Sequence, residues 1–348
     1  MKLMKKMIAA LTLTGLLAAS LGLSAFADDA ANVATLTEQQ VTKHLVMAES
    51  LDVPDAEFSF AVTAVTADAP AVTIGSISYS SADDKGTLST EGVYTVDKNA
   101  EITFGTFPHA GTYEYTVTET TGSAEGITYD STSYTMTVYV ANGSDGALAV
   151  QRIIVEADNG KQYELSFTNT YCKNGSLTIT KNTEGDLADK TKDFAFTITF
   201  IKSGTESDSV TSYTGKIGEE PIECTIGQET SFYLHDGESL VFDDLPVGTR
   251  YVVTEAAAAD GYKPSVSVVE NGVQNATLTA NDADALSSAS SGLTNLVGEN
   301  ENSATFTNTY DDIPVTGLVL NNLPAVMLIA ISAVALVLLT LCKRRRKN

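Results

Sequence analysis

The sequence predicts an all-β chain made of two tandem immunoglobulin-like β-sandwich domains, and three observations predict it. Between the ends, short runs rich in Thr, Val, Tyr, Ile and Phe, such as "YEYTVTE", "SYTMTVYV" and "FAFTITF", alternate with Gly, Asn, Asp and Ser clusters, the pattern of antiparallel sandwiches. Helical periodicity is scarce there. One pentapeptide, "FTNTY", occurs at 167–171 and again at 306–310, and internal repetition of this kind sets the domain plan. The two halves are expected to be 28–171 and 172–310, since the roughly 290 residues between the ends suit two domains better than one.

Residues 1–27 are expected to be lost from the mature chain. Lys2, Lys5 and Lys6 precede an apolar run that closes on Ala25-Phe26-Ala27, the layout of a secretory signal peptide. Residues 1–27 and 317–348 hold eight of the 21 cations and none of the 44 acids, leaving 13 cations against 44 acids in 28–316. So acidic a surface repels nucleic acid. Of three cysteines, Cys342 is in the tail, and Cys172 and Cys224 make no disulfide framework.

The copies share more than one pentapeptide. The first holds "FGTFPHAGTYEYTVTE" (104–119) and the second "FDDLPVGTRYVVTE" (242–255), each with a Gly-Thr turn and a strand ending Val-Thr-Glu. Early in each copy a strand carries a lysine, in "QQVTKHL" (39–45) and "SLTITK" (176–181). From lysine to glutamate to asparagine the intervals are 76 and 50 residues in the first copy, and 74 and 53 in the second. The segment "TKHLVMAESLDV" could also start a helix.

Side chains two apart on a strand share a face. Lys43 shares one with Val41 and Leu45, and Lys181 with Leu177 and Ile179. Glu119 follows Tyr115 and Val117, and Glu255 follows Tyr251 and Val253. Asn169 falls in register with Leu165, Phe167 and Tyr171, and Asn308 with Ala304, Phe306 and Tyr310. Singly, each reads as a strand reaching water. As one trio written twice, in one order, they read as buried groups that must satisfy one another, because burying them alone costs several kcal/mol.

Those residue types suit one reaction. Burial lowers a lysine's pKa and raises a carboxyl's, so both can be neutral in a core. A neutral amine is a nucleophile, and a protonated carboxyl can polarise an amide and carry protons to departing ammonia. The product is a Lys–Asn isopeptide bond, made once. Lys43–Asn169 and Lys181–Asn308 are the expected pairs, with Glu119 and Glu255 as their acids. Turnover catalysis is not expected. His44, His109 and His235 match no metal or nucleophile motif, phosphate-cradling glycine loops are missing, and the acidic clusters "ADDKG" and "NDADA" read as solvated turns. No cofactor or metal is implied.

Residues 311–348 run from Ile313-Pro314-Val315-Thr316-Gly317 through an apolar stretch to a basic end, Lys343 to Lys347. The stretch is long enough to cross a bilayer as a helix, and the cations hold its end inside the cell. The whole resembles the cell-wall sorting signal of Gram-positive surface proteins, with Ile where Leu is common. That resemblance implies a sortase that cuts between Thr316 and Gly317 and passes Thr316 to an amine, with peptidoglycan as the final anchor.

With the "VTK…YTVTE…FTN" and "TITK…YVVTE…FTN" trios, nearly the whole chain resembles the two-domain backbone pilin of streptococci, the T-antigen type. The resemblance implies a shaft subunit with self-formed isopeptide bonds, polymerised by sortase into a surface pilus of its own copies. It also points to Lys161, in "EADNGKQYELSF", as the amine that captures Thr316 of the next subunit. A solvated turn lysine is the plainer reading of that residue. The rival function is a wall-anchored adhesin that stays single and binds a host receptor.

Overall fold

The computed structural model describes residues 39–290 and 295–310. The signal peptide, the sorting signal with its expected helix, and Thr316 and Gly317 lie outside the described residues. Among the described residues there is strand, turn and coil but no helix. The "TKHLVMAESLDV" segment is extended over Gln40–Ala48, with side chains alternating between the core and the half-exposed face. Helix propensity there is overridden because Val41, Lys43, Leu45 and Met47 can be buried together only at a period of two.

The first sandwich pairs two five-stranded sheets. In one, the leading strand Gln40–Ala48 lies between Val93–Phe104 and the closing strand Leu165–Tyr171. In the other, Gly111–Glu119 lies between Phe60–Ala64 and Ser133–Asn142, with Leu148–Ala157 and Gly160–Gln162 beyond. The second sandwich repeats the plan. Its leading strand Asn174–Glu184 sits between Ser239–Pro246 and the closing strand Ser303–Tyr310, which is followed by Tyr262–Glu270. The facing sheet places Arg250–Glu255 next to Phe194–Ile201.

In both sandwiches the leading and closing strands are parallel neighbours. Parallel neighbours need a long crossover, and here the crossover is the rest of the sandwich. The register is the same twice. Leu45 stands opposite Asn169 and Thr183 opposite Asn308, so each lysine is two residues before its asparagine's partner and on the same face.

The two sandwiches meet closely. Val247 of the second is fully buried against a cluster of the first that includes Leu45, Met47, Leu51 and Val53. Arg250 forms an ion pair with Glu49. Gly204 leaves no room for a side chain, since a Cβ there would fall 2.5 Å from the backbone oxygen of Glu91.

Candidate functional site: two buried Lys–Glu–Asn trios

Each trio is assembled by three strands. The lysine comes from the leading strand, the asparagine from the closing strand beside it, and the glutamate from the last position of a strand in the facing sheet. Alternation along each strand turns all six inwards, between residues such as Tyr115, Val117, Phe167, Val253 and Phe306. Lys43, Asn169, Lys181, Glu255 and Asn308 are 0% exposed and Glu119 is 6% exposed.

In the first sandwich one carboxylate spans both partners. Lys43 Nζ donates to Glu119 Oε2 at 3.1 Å, and Asn169 Nδ2 donates to Glu119 Oε1 at 2.7 Å. In the second, both partners crowd one oxygen. Asn308 Nδ2 donates to Glu255 Oε1 at 2.6 Å, and Lys181 Nζ stands 3.3 Å from the same atom without the alignment of a hydrogen bond. Among the described residues, Lys181 Nζ, Glu255 Oε2 and Asn308 Oδ1 are left buried with no hydrogen-bond partner. Turning the Asn308 amide over would put its oxygen 2.6 Å from Glu255 Oε1, the separation of an O–H···O bond from a protonated carboxyl.

An aromatic ring screens each amine from water. Lys43 Nζ lies 4.9 Å from the centre of the Phe58 ring, and Lys181 Nζ 4.3 Å from that of Phe194. Burial opposes ionisation. It pulls the Lys43 amine below its ordinary value against the opposing charge of Glu119, and brings Lys181 down to about 8. Burial also pushes the Glu255 carboxyl up, against the pull of Lys181. Amine, acid and primary amide are therefore held together in a dry site, the arrangement that amide exchange with loss of ammonia requires.

The structure thus gathers the six expected residues into two groups of three. Lys161 stands apart. It lies in the short strand Gly160–Gln162 at the edge of the first sandwich, half exposed, with its Nζ 3.9 Å from Glu156 Oε1. Three contributors escape sequence reasoning. Phe58 and Phe194 are strand residues like many others in the chain, and only the packing brings them over the amines. Asp130, in "TYDSTS", lies in a turn with no counterpart in the second copy's motif, and its backbone N–H donates to Asn169 Oδ1 at 2.7 Å.

Residues 39–172 match the Spy0128-like isopeptide containing domain, FctA, and residues 175–310 match a domain of unknown function, DUF7601. A protein of Streptococcus pyogenes serotype M1 described as a pilin is 32% identical over 242 residues, which cover 64% of this chain and 67% of the relative. The chain belongs to the pilin family. A pilus tip adhesin of Streptococcus pyogenes, Cpa, is 43% identical to this pilin over 91 residues, or 26% of the pilin and 13% of the adhesin. Among solved structures, a major pilin protein of Streptococcus pyogenes is 25% identical with a TM-score of 0.37, over 80% of this pilin and all of that chain. A second major pilin structure from that species is 26% identical with a TM-score of 0.36, over 80% of this pilin and 99% of the other chain.

Proposed function

We propose that this pilin is the shaft subunit of a covalent pilus on the cell surface, stapled within each of two domains by a Lys–Asn isopeptide bond that the folded chain makes itself. The domains are 28–171 and 172–310, and the bonds join Lys43 to Asn169 and Lys181 to Asn308. One observation carries the reading. A lysine, a glutamate and an asparagine are sealed from water, in contact through the carboxyl, at the same strand register in both sandwiches. Left as ions and an amide, such groups would gain little stability for their burial.

The chemistry follows from the contacts. The neutral lysine amine adds to the asparagine Cγ, and the protonated glutamate carboxyl delivers its proton to the amide nitrogen, which leaves as ammonia. The carboxylate so formed then takes a proton from the amine nitrogen. One C–N bond forms, one breaks, and the carboxyl ends as it began. Because leading and closing strands are joined where the chain enters and leaves each domain, tension along the fibre runs through covalent bonds and bypasses the sandwich.

Growth of the shaft then needs sortase to cut between Thr316 and Gly317 and to join Thr316 to Lys161 of a neighbouring copy. The last subunit is passed to peptidoglycan. The exposure of Lys161 supports its role as acceptor. Intact mass of the mature chain tests the staples: it should be two ammonias lighter than its composition, and full mass would overturn the reading. Coexpression with sortase tests the polymer, since Lys161→Arg should abolish the ladder of multimers on a denaturing gel. A ladder that survives that change removes Lys161 from the scheme, and no ladder from the unaltered chain would favour the single-copy adhesin.

A further inference from the structure

We propose that the backbone N–H of Asp130 is an oxyanion donor for bond formation in the first sandwich, and that the second sandwich lacks one. The inference rests on the self-made isopeptide reading above and deepens it. When the Lys43 amine adds to Asn169 Cγ, the π electrons of the C=O bond move onto Oδ1, which becomes an alkoxide until the C–Nδ2 bond breaks and ammonia departs. Charge develops on Oδ1, and a donor already fixed at that atom lowers the barrier.

Asn169 Oδ1 has such a donor, the Asp130 N–H at 2.7 Å. On the other side of the amide, Nδ2, the leaving nitrogen, faces Glu119 Oε1. The amide is therefore held in one orientation, with its oxygen on a donor and its nitrogen on the proton carrier. The side chain of Asp130 fixes that N–H in place. Its Oδ1 accepts the Thr132 N–H at 2.8 Å, closing a tight turn, and its Oδ2 accepts the Thr168 N–H at 2.7 Å, next to Asn169 on the closing strand. The carboxylate so ties its own backbone to the strand that carries the reacting amide.

The second sandwich differs at this point. Among the described residues Asn308 Oδ1 has no hydrogen-bond partner, and the neighbouring strand stays in ladder register there, with Pro264 opposite Asn308 and Ser265 opposite Thr307. Stabilisation of the alkoxide there falls to Glu255 alone.

The test follows both bonds in one chain. The full chain is made by cell-free translation, quenched in denaturant at intervals, digested, and the ammonia loss of each sandwich read by mass. At residue 130 the α-hydroxy analogue of aspartate replaces the N–H by an ester oxygen and keeps the carboxylate. Ammonia loss from Asn169 should slow about 10²-fold, while loss from Asn308 keeps its rate and serves as the internal reference. Asp130→Ala, which frees the clamp, should also slow the first sandwich, and Asp130→Asn should recover part of the rate. An ester chain that reacts at Asn169 as fast as the unaltered chain overturns the inference. So does one whose only change is a lower melting temperature of the uncross-linked first sandwich in a Glu119→Ala background, which would make the bond structural. Failure of the unaltered chain to lose ammonia at Asn169 would instead overturn the isopeptide reading itself.

Discussion

Asn308→Ala removes the electrophile of the second sandwich and leaves the buried Lys181–Glu255 pair in place. The staple it prevents would close a loop from residue 181 to residue 308, the 74 residues to Glu255 and the 53 from there to Asn308. On the chain-entropy estimate used for disulfides, a loop of that size restricts the unfolded chain by about 5 kcal/mol. For a domain of this size that corresponds to roughly 15–20 °C in melting temperature. The assay is differential scanning calorimetry of the mature chain, with intact mass taken on the same sample. The variant should be one ammonia short of its composition in place of two, and the lower of its transitions should fall by that amount while the first sandwich melts as before. A variant that keeps the mass expected of one bond yet melts within about 2 °C of its parent would refute the chain-entropy argument. If the parent itself shows no deficit assignable to Asn308, the bond is refuted outright.

Three further outcomes are expected. Glu119→Ala and Glu255→Ala should each restore one ammonia to the mass, in peptides from their own sandwich only; restoration in both sandwiches by either change would contradict two independent sites. In the second sandwich the rate of bond formation should be bell-shaped in pH. The reactive state of the Lys181–Glu255 pair holds one proton, on the carboxyl, so the rate should fall about tenfold per unit as that proton is lost above pH 8 or so. It should fall again below the raised pKa of Glu255, where the amine also gains a proton; stopped time courses between pH 4 and 10 would read both limbs, and a rate still rising through pH 9 would contradict the assignment. Finally, Gly204→Val should loosen the joint between sandwiches, since a Cβ there meets the Glu91 oxygen at 2.5 Å and Val93 Cγ1 at 2.7 Å. Small-angle scattering should show a broader distribution of shapes with both ammonia losses intact, and an unchanged profile would show that the contact yields without opening.

Much was legible before any coordinates. Alternation along strands put Lys43, Glu119, Asn169 and their second-copy equivalents on core-facing positions because the strand period is two and their neighbours are Val, Leu, Tyr and Phe. Repetition of the trio at near-equal spacing marked those positions as a set. Composition supplied the all-β class, and the repeated pentapeptide supplied the twofold plan. These properties are local, or are periodic along the chain, so one sequence can carry them.

The tertiary structure decided the rest. Only the parallel pairing of leading and closing strands sets Leu45 opposite Asn169 and Thr183 opposite Asn308, and no local pattern encodes a register between segments more than a hundred residues apart. Packing likewise chose Phe58 and Phe194 to cover the amines, and settled "TKHLVMAESLDV" as strand because its apolar side chains had a sheet to complete. The hydrogen bond from the Asp130 backbone to Asn169 was invisible for the same reason. A main-chain N–H has no letter of its own, and its direction is fixed by the turn it closes and the strand it meets.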